Sequence, residues 1–204
     1  MRETELVRCI QHLTTRHHRH STIVKGIGDD CAVIRPRANQ DLVFTSDFAL
    51  EGRHFALDTH KPAEIGHKAL ARSLSDLAAM GSEPVFCLVS LAIPQQLATS
   101  WVDRFYRGLL ALADKFKITV AGGDLSRLDK VVVDVMSCGS VPRGKAILRS
   151  GAKPGDCIYV TGELGAAAHS NWRRTPQPRI QTGIALRSLA SAGMDLSDGL
   201  SLDL

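Results

Sequence analysis

Aromatic side chains are scarce: six Phe, two Trp and two Tyr make up 5% of the 204 residues. A platform that stacks successive bases of a single-stranded nucleic acid needs more rings than this, so no nucleic-acid partner is expected. The five cysteines, Cys9, Cys31, Cys87, Cys138 and Cys157, are odd in number, far apart and free of any CxxC spacing. That argues against a disulfide scaffold and for a reducing compartment. Cys87 and Cys138 sit in apolar strand-like runs, where a small buried thiol is the ordinary outcome. No apolar run approaches the length that crosses a bilayer, and the first residues have neither a signal-peptide core nor a transit-peptide composition. The expectation is a cytoplasmic protein with no membrane partner.

Several catalytic signatures are also missing. There is no GxxxxGK[ST], no GxGxxG opening a helix after a strand, no HExxH and no GxSxG. Ser46 and Ser197 lie beside acids, but only His54 could serve either as a base, so a serine nucleophile has little support. A net charge of +4 and a pI near 8.9 are compatible with an anionic ligand. The basic residues are scattered apart from Arg16-His17-His18-Arg19-His20, which reads as a solvated loop and supplies no set of ligands at structural-zinc spacing.

What is present describes an α/β protein. The 44% hydrophobic content suffices for a core, and the length allows one large domain or one domain with a piece of another. Helical spacing predicts an amphipathic helix over 3–13, a helix from Pro62 to a stop at Gly81, and a long helix over 95–116. Apolar runs predict strands at 32–34, 42–47, 85–93, 118–124, 131–141 and 157–162. The stretch 169–179, with two prolines and three arginines, reads as a linker, and 184–192 as a further helix. Helices of this length are most simply a layer over a sheet.

Acids recur at the ends of these runs. Asp47 follows Thr45-Ser46, Asp124 follows Gly122-Gly123, and Asp29-Asp30 lie between glycines. Asp76 closes a helix among Leu70, Leu74, Leu77 and Ala78, and Asp195 and Asp198 flank Ser197. Each has a plain alternative as a turn residue or a solvent-facing helix position. If a sheet edge gathers several of them, their mutual repulsion requires a counter-charge. Mg²⁺ held by few carboxylates usually serves substrate phosphates, so the residues point to a site for several Mg²⁺ ions and a phosphate ligand.

The motifs resemble one family in content and in order. Gly26-Ile27-Gly28-Asp29-Asp30, Thr45-Ser46-Asp47, Glu51-Gly52-Arg53-His54-Phe55, Leu74-Ser75-Asp76-Leu77-Ala78-Ala79-Met80-Gly81, Gly122-Gly123-Asp124, Arg149-Ser150-Gly151-Ala152-Lys153-Pro154-Gly155-Asp156 and Met194-Asp195-Leu196-Ser197-Asp198-Gly199-Leu200 look like the series of thiamine-monophosphate kinase. The resemblance implies an α/β (α+β) fold: a mixed sheet covered by helices, the N-terminal domain of the aminoimidazole ribonucleotide synthetase-like fold. It implies transfer of the γ-phosphate of ATP to thiamine monophosphate, giving thiamine diphosphate, in a homodimer formed through the N-terminal sheet. It further implies that Asp30, Asp47, Asp76, Asp124 and Asp195 hold Mg²⁺, with oxygens from Thr45 and Ser46 and a further ligand in Asp198. Gly123, Asp124, Arg149 and Ser197 would contact ATP, and His54 would lie by the thiamine substrate.

This sequence departs from that pattern in three places. Leu125-Ser126 stand where two threonines are usual, and 162–178 is shorter than the corresponding helical segment. The family's later Gly-Gly-Glu-Asp motif has no counterpart in these 204 residues. The expected organisation is an N-terminal ATP/Mg-binding and dimerisation domain over 1–150, then a linker and only the start of a second domain over 151–204. The expected behaviour is retained ATP–Mg²⁺ binding with weak or no kinase activity. A non-catalytic nucleotide-binding or dimerisation module, or another ATP-dependent synthetase of the superfamily, stays open at this level.

Overall fold

A computed structural model describes residues 3–17, 20–27, 31–165, 169–170 and 175–204. Helix α1 (Glu3–Thr14) leads to a short antiparallel pair, β1 (Ile23–Lys25) and β2 (Val33–Ile34). Then come β3 (Gln40–Leu50), α2 (Pro62–Ala79), β4 (Glu83–Ile93), α3 (Thr99–Phe116), β5 (Thr119–Arg127) and β6 (Val132–Pro142). Two short helices follow, α4 (Ile180–Leu186) and α5 (Leu200–Asp203). The four longer strands form one mixed sheet in the order β3-β6-β4-β5, with β4 and β5 parallel and the other pairs antiparallel.

Alternation along the strands divides the sheet into two faces. Ala49, Val133, Val135, Val89, Leu91 and Ile93 point to one of them and join Ile65, Leu70, Leu74 and Leu77 of α2 and Phe105 and Leu109 of α3 in the main core. On the other face, β1 and β2 cover one end through Ile23, Val85, Phe86, Ala121 and Cys138. Among the described residues no element covers the rest of that face, and Phe44 and Phe48 are 59% and 57% exposed.

The ends of α2 follow its sequence. Pro62 occupies the first turn, where its missing N–H would find no partner anyway. Glu64 accepts a hydrogen bond from Lys61 N–H at 2.8 Å. Past the last turn, Gly81 takes φ +65, and Ser82 N–H donates to Leu77 O at 2.8 Å. The helix crosses α3 at two glycines. A Cβ on Gly66 would lie 2.1 Å from Phe105 O, and one on Gly108 would lie 2.0 Å from Ala63 O. Both obstacles are backbone and cannot rotate away. Gly108→Ala is therefore expected to destabilise the fold by about 2–3 kcal/mol, read as a lower urea midpoint at an unchanged slope.

Three expectations need correction. Residues 157–162 form no strand: Ile158 and Tyr159 are 69% and 87% exposed, and no described strand lies alongside to accept their ladder bonds. The helix expected over 184–192 starts earlier and ends earlier, at Ile180–Leu186, where Ile180 and Gly183 pack down in burial. The long helix begins at Thr99, because Leu97 N–H closes a turn onto Pro94 O at 3.1 Å. The described part of the expected linker is docked on the helical layer. His67 Nε2 donates to Pro176 O at 2.8 Å, and Lys115 Nζ to Gln177 Oε1 at 2.6 Å. Among the described residues no helix is long and apolar enough to cross a membrane.

Candidate functional site

The acidic end of α2 meets the helix-covered face of β3. Thr45 and Asp47 share that face, two residues apart, and the Thr45 hydroxyl donates to Asp76 Oδ2. Asp47 Oδ1 lies 3.4 Å from Nη2 of Arg72, one helical turn before Asp76. Asp195 comes in from the far end of the chain, its side chain only 15% exposed, and sits 3.7 Å from Arg149 Nη2. The Arg149 side chain is 75% exposed, so the cation faces outward over a half-buried acid group.

These carboxyls strain against one another. Burial pushes the Asp76 carboxyl up from its ordinary value, and the Asp47 charge and a hydrogen bond with the Asp47 carboxyl push it further. The Thr45 hydroxyl and Arg149 pull it back. Burial is also the main cause at Asp195, followed by repulsion from Asp76, with Arg149 opposing. Asp76 and Asp195, far apart in sequence, thus feel each other's charge.

The sequence-derived candidates divide between several places. Thr45, Asp47, Asp76, Asp195 and Arg149 come together. Ser46 points to the open face of the sheet and donates to Asp134 Oδ1 at 2.7 Å. Asp134 is in register with Ser90, and Ser90 with Asp124, so Asp124 lies on that open face at the opposite edge from β3. Gly123 packs against β4, where a Cβ would come 1.9 Å from Val89 O. Ser197 and Asp198 belong to an exposed turn whose backbone N–H groups donate to Asp203 Oδ2 at 2.9 and 3.1 Å. His54 accepts a hydrogen bond at Nδ1 from Leu50 N–H at 3.0 Å. Burial, then the charges of Arg72 and Arg53, hold its imidazole below the ordinary value, so it is neutral at physiological pH. Asp30 lies outside the described residues, with Gly28 and Asp29.

Sequence reading overlooked Arg72 and Asp134. The spacing Lys68-Arg72-Asp76, four residues apart on one helix face, was the available signal for the first. Asp134 sits mid-strand, and only the register of β6 reveals it.

Among the described residues no three His, Cys, Asp or Glu side chains form a ligand group for one metal ion. The donor set still suits Mg²⁺. Asp47, Asp76, Asp195 and Thr45 offer hard oxygens, and two of the carboxyls are destabilised by burial and like charge. A hard cation held by few carboxylates takes its other ligands from water and phosphate.

The layered domain with acids gathered at one sheet edge defines a class. Residues 28–141 match the family described as AIR synthase related protein, N-terminal domain. The thiamine-monophosphate kinase of Salmonella typhimurium is 40% identical over 199 aligned positions, covering 88% of this chain. That of Bacillus subtilis is 36% identical over 218 positions, covering 96% of the chain. The crystal structure of thiamine-monophosphate kinase from Stenotrophomonas maltophilia, 34% identical, superposes with a TM-score of 0.78 over 98% of this chain and 69% of its own. A structure of AaThiL complexed with AMPPCP and TMP, 29% identical, covers 100% of this chain and 70% of its own, with a TM-score of 0.72. The chain belongs to the thiamine-monophosphate kinase family. It spans 60% of the length of the Salmonella relative and 67% of the Bacillus one.

Proposed function

We propose that this chain carries the ATP- and Mg²⁺-binding platform of a thiamine-phosphate kinase, which passes the γ-phosphate of ATP directly to thiamine monophosphate to give thiamine diphosphate. The convergence of Thr45, Asp47, Asp76, Asp195 and Arg149 carries this reading, because phosphoryl transfer depends on alignment and charge neutralisation. A relative of the same fold that holds both AMPPCP and TMP supports ATP and thiamine monophosphate as the ligands. Bound Mg²⁺ would supply the neutralising charge between carboxylates and phosphates.

Within this reading Asp47, Asp76 and Asp195 hold the cations, with Asp30, Asp124 and Asp198 and the oxygens of Thr45 and Ser46 completing the set. Thr45 fixes the orientation of the Asp76 carboxylate. Arg149, largely exposed beside Asp195, is free to turn its guanidinium to an ATP phosphate, and Gly123, Asp124 and Ser197 complete the nucleotide contacts. Neutral His54 meets the thiamine substrate without adding charge beside Arg53 and Arg72. No covalent nucleophile is required. Residues 1–150 form the binding and dimerisation domain, and 151–204 are the linker and the start of a second domain. The protein is cytoplasmic and pairs as a homodimer through the open face of the sheet.

Calorimetry with ATP and Mg²⁺, followed by a thiamine diphosphate assay, tests the proposal. ATP binding with product sustains the kinase; binding without product leaves a nucleotide-binding module; no binding overturns both. Arg149→Ala is expected to weaken Mg²⁺-dependent ATP binding about tenfold, the size of one charge-assisted hydrogen bond, as read by the same titration.

A further inference from the structure

The helix face that ends in Asp76 begins with two cations. Lys68, Arg72 and Asp76 follow at four-residue intervals on α2. Lys68 Nζ reaches His60 Nε2 at 2.8 Å, in the loop that also carries His54. Arg72 is partnered only in part. Its contact with Asp47 is a single one of 3.4 Å, long for a guanidinium–carboxylate pair, which normally closes as a two-bond fork at 2.7–2.9 Å. Its Nε is buried and has no hydrogen-bond acceptor. Arg72 is also the second cause, after burial, of the depressed imidazole of His54. Its charge is therefore felt at both Asp47 and His54, the cation side and the substrate side of the site.

A buried guanidinium nitrogen without an acceptor is costly. The acid that faces the group is Asp47, at 3.4 Å, while Asp76 and Asp195 are opposed by Arg149. The planar fork suits a phosphate better than it suits this one long contact.

We propose that Arg72 is a positioning residue that stands in for the cation at Asp47 in the ligand-free protein and, once Asp47 is taken by a cation, turns its fork to a phosphate oxygen of the bound substrate. The proposal deepens the kinase reading and rests on it for the phosphate half. The competition at Asp47 requires only the residues described.

Two variants test it, Arg72→Met and Arg72→Lys, each titrated calorimetrically with Mg²⁺ alone and then with ATP in the presence of Mg²⁺. Thermal melts confirm that both fold. Arg72→Met is expected to bind Mg²⁺ alone about fivefold tighter than the unaltered chain, because the competitor for Asp47 is gone, and Mg²⁺-ATP about tenfold weaker. Arg72→Lys keeps the charge without the fork. It should return Mg²⁺ affinity toward the unaltered value and leave ATP binding weak. Effects of opposite sign on the two ligands are not what a merely structural arginine produces. Unchanged or weaker Mg²⁺ binding by Arg72→Met overturns the competition, and unchanged ATP binding overturns the phosphate contact. If the unaltered chain binds Mg²⁺ but no ATP, the kinase reading fails and the phosphate half falls with it, while the Mg²⁺ comparison still decides the competition at Asp47.

Discussion

Asp76→Asn will lower Mg²⁺-dependent ATP affinity at least about 100-fold, close to 3 kcal/mol, and will leave the fold intact. Asparagine keeps the shape of the side chain and an oxygen that can accept from Thr45, so the local geometry survives. What is lost is the charge that a cation needs, in a half-buried place where its removal is felt strongly. The same change is expected to raise the melting temperature of the ligand-free protein. Burial and the Asp47 charge hold the Asp76 carboxyl above its ordinary value, so the folded chain retains this proton more firmly than the unfolded chain does. The ionised group therefore opposes folding above its folded pKa, and the opposition fades as pH falls through that value to the ordinary carboxylate range. The stability advantage of Asp76→Asn should be largest near neutral pH and should close on acidification through that window. Added Mg²⁺ should raise the melting temperature of the unaltered chain and leave the variant unmoved. Unchanged affinity in the titration would return Asp76 to an ordinary position on a wet helix face.

Why Asp76 was visible in sequence, and Arg72 was not, is instructive. Asp76 interrupts an apolar helix face just before a glycine stop, and both the face and the stop follow from local rules. The helices, and the strands β3, β4 and β6, carry their periodicity within a dozen or so residues, so they could be read one by one. Strand order could not. The rule of two separates Thr45 from Ser46, but only the sequence of strands β3-β6-β4-β5 puts Asp124 at the far edge and on the other face from Asp47. Asp195 likewise joins Asp76 only through tertiary packing. The segment 157–162 has strand composition without a ladder, because pairing depends on a neighbour and composition does not report one. Arg72 was overlooked because a cation on a helix surface is common. Its meaning lies in Asp47, 25 residues earlier on another element, and in a nitrogen that burial leaves without an acceptor.

In the homodimer proposed above, Phe44→Asp combined with Phe48→Asp is expected to separate the two copies, raising the dissociation constant about 1000-fold or more, as read by sedimentation across a concentration series. Sheets of antiparallel strands can leave one face to water, but such a face is then polar. Here β3 instead presents two phenylalanines, both more than half exposed, beside the partly buried Leu42, Leu88 and Met136. The two rings flank the Ser46–Asp134 pair, and exposed aromatic side chains set among polar groups are the composition of an interface, where such rings carry most of the association energy, at about 2 kcal/mol or more each. Two carboxylates facing their own copies across a two-fold axis would add repulsion to the lost contact area. The fold should tolerate the change, since neither ring belongs to the core beneath α2 and α3. Nucleotide binding should not survive as well. Ser46 and Asp124 lie on this same open face, three strand spacings apart at about 4.8 Å each, and Asp124 cannot reach the Asp76 cluster from the far edge of its own sheet. If Asp124 does hold a cation shared with that cluster, a second copy packed on the open face is the way it gets there. The double variant should then lose Mg²⁺-dependent ATP affinity along with its partner. A double variant that still sediments as a dimer removes the open face as the interface. One that is monomeric yet binds ATP undiminished confines the site to a single chain and takes Asp124 out of it.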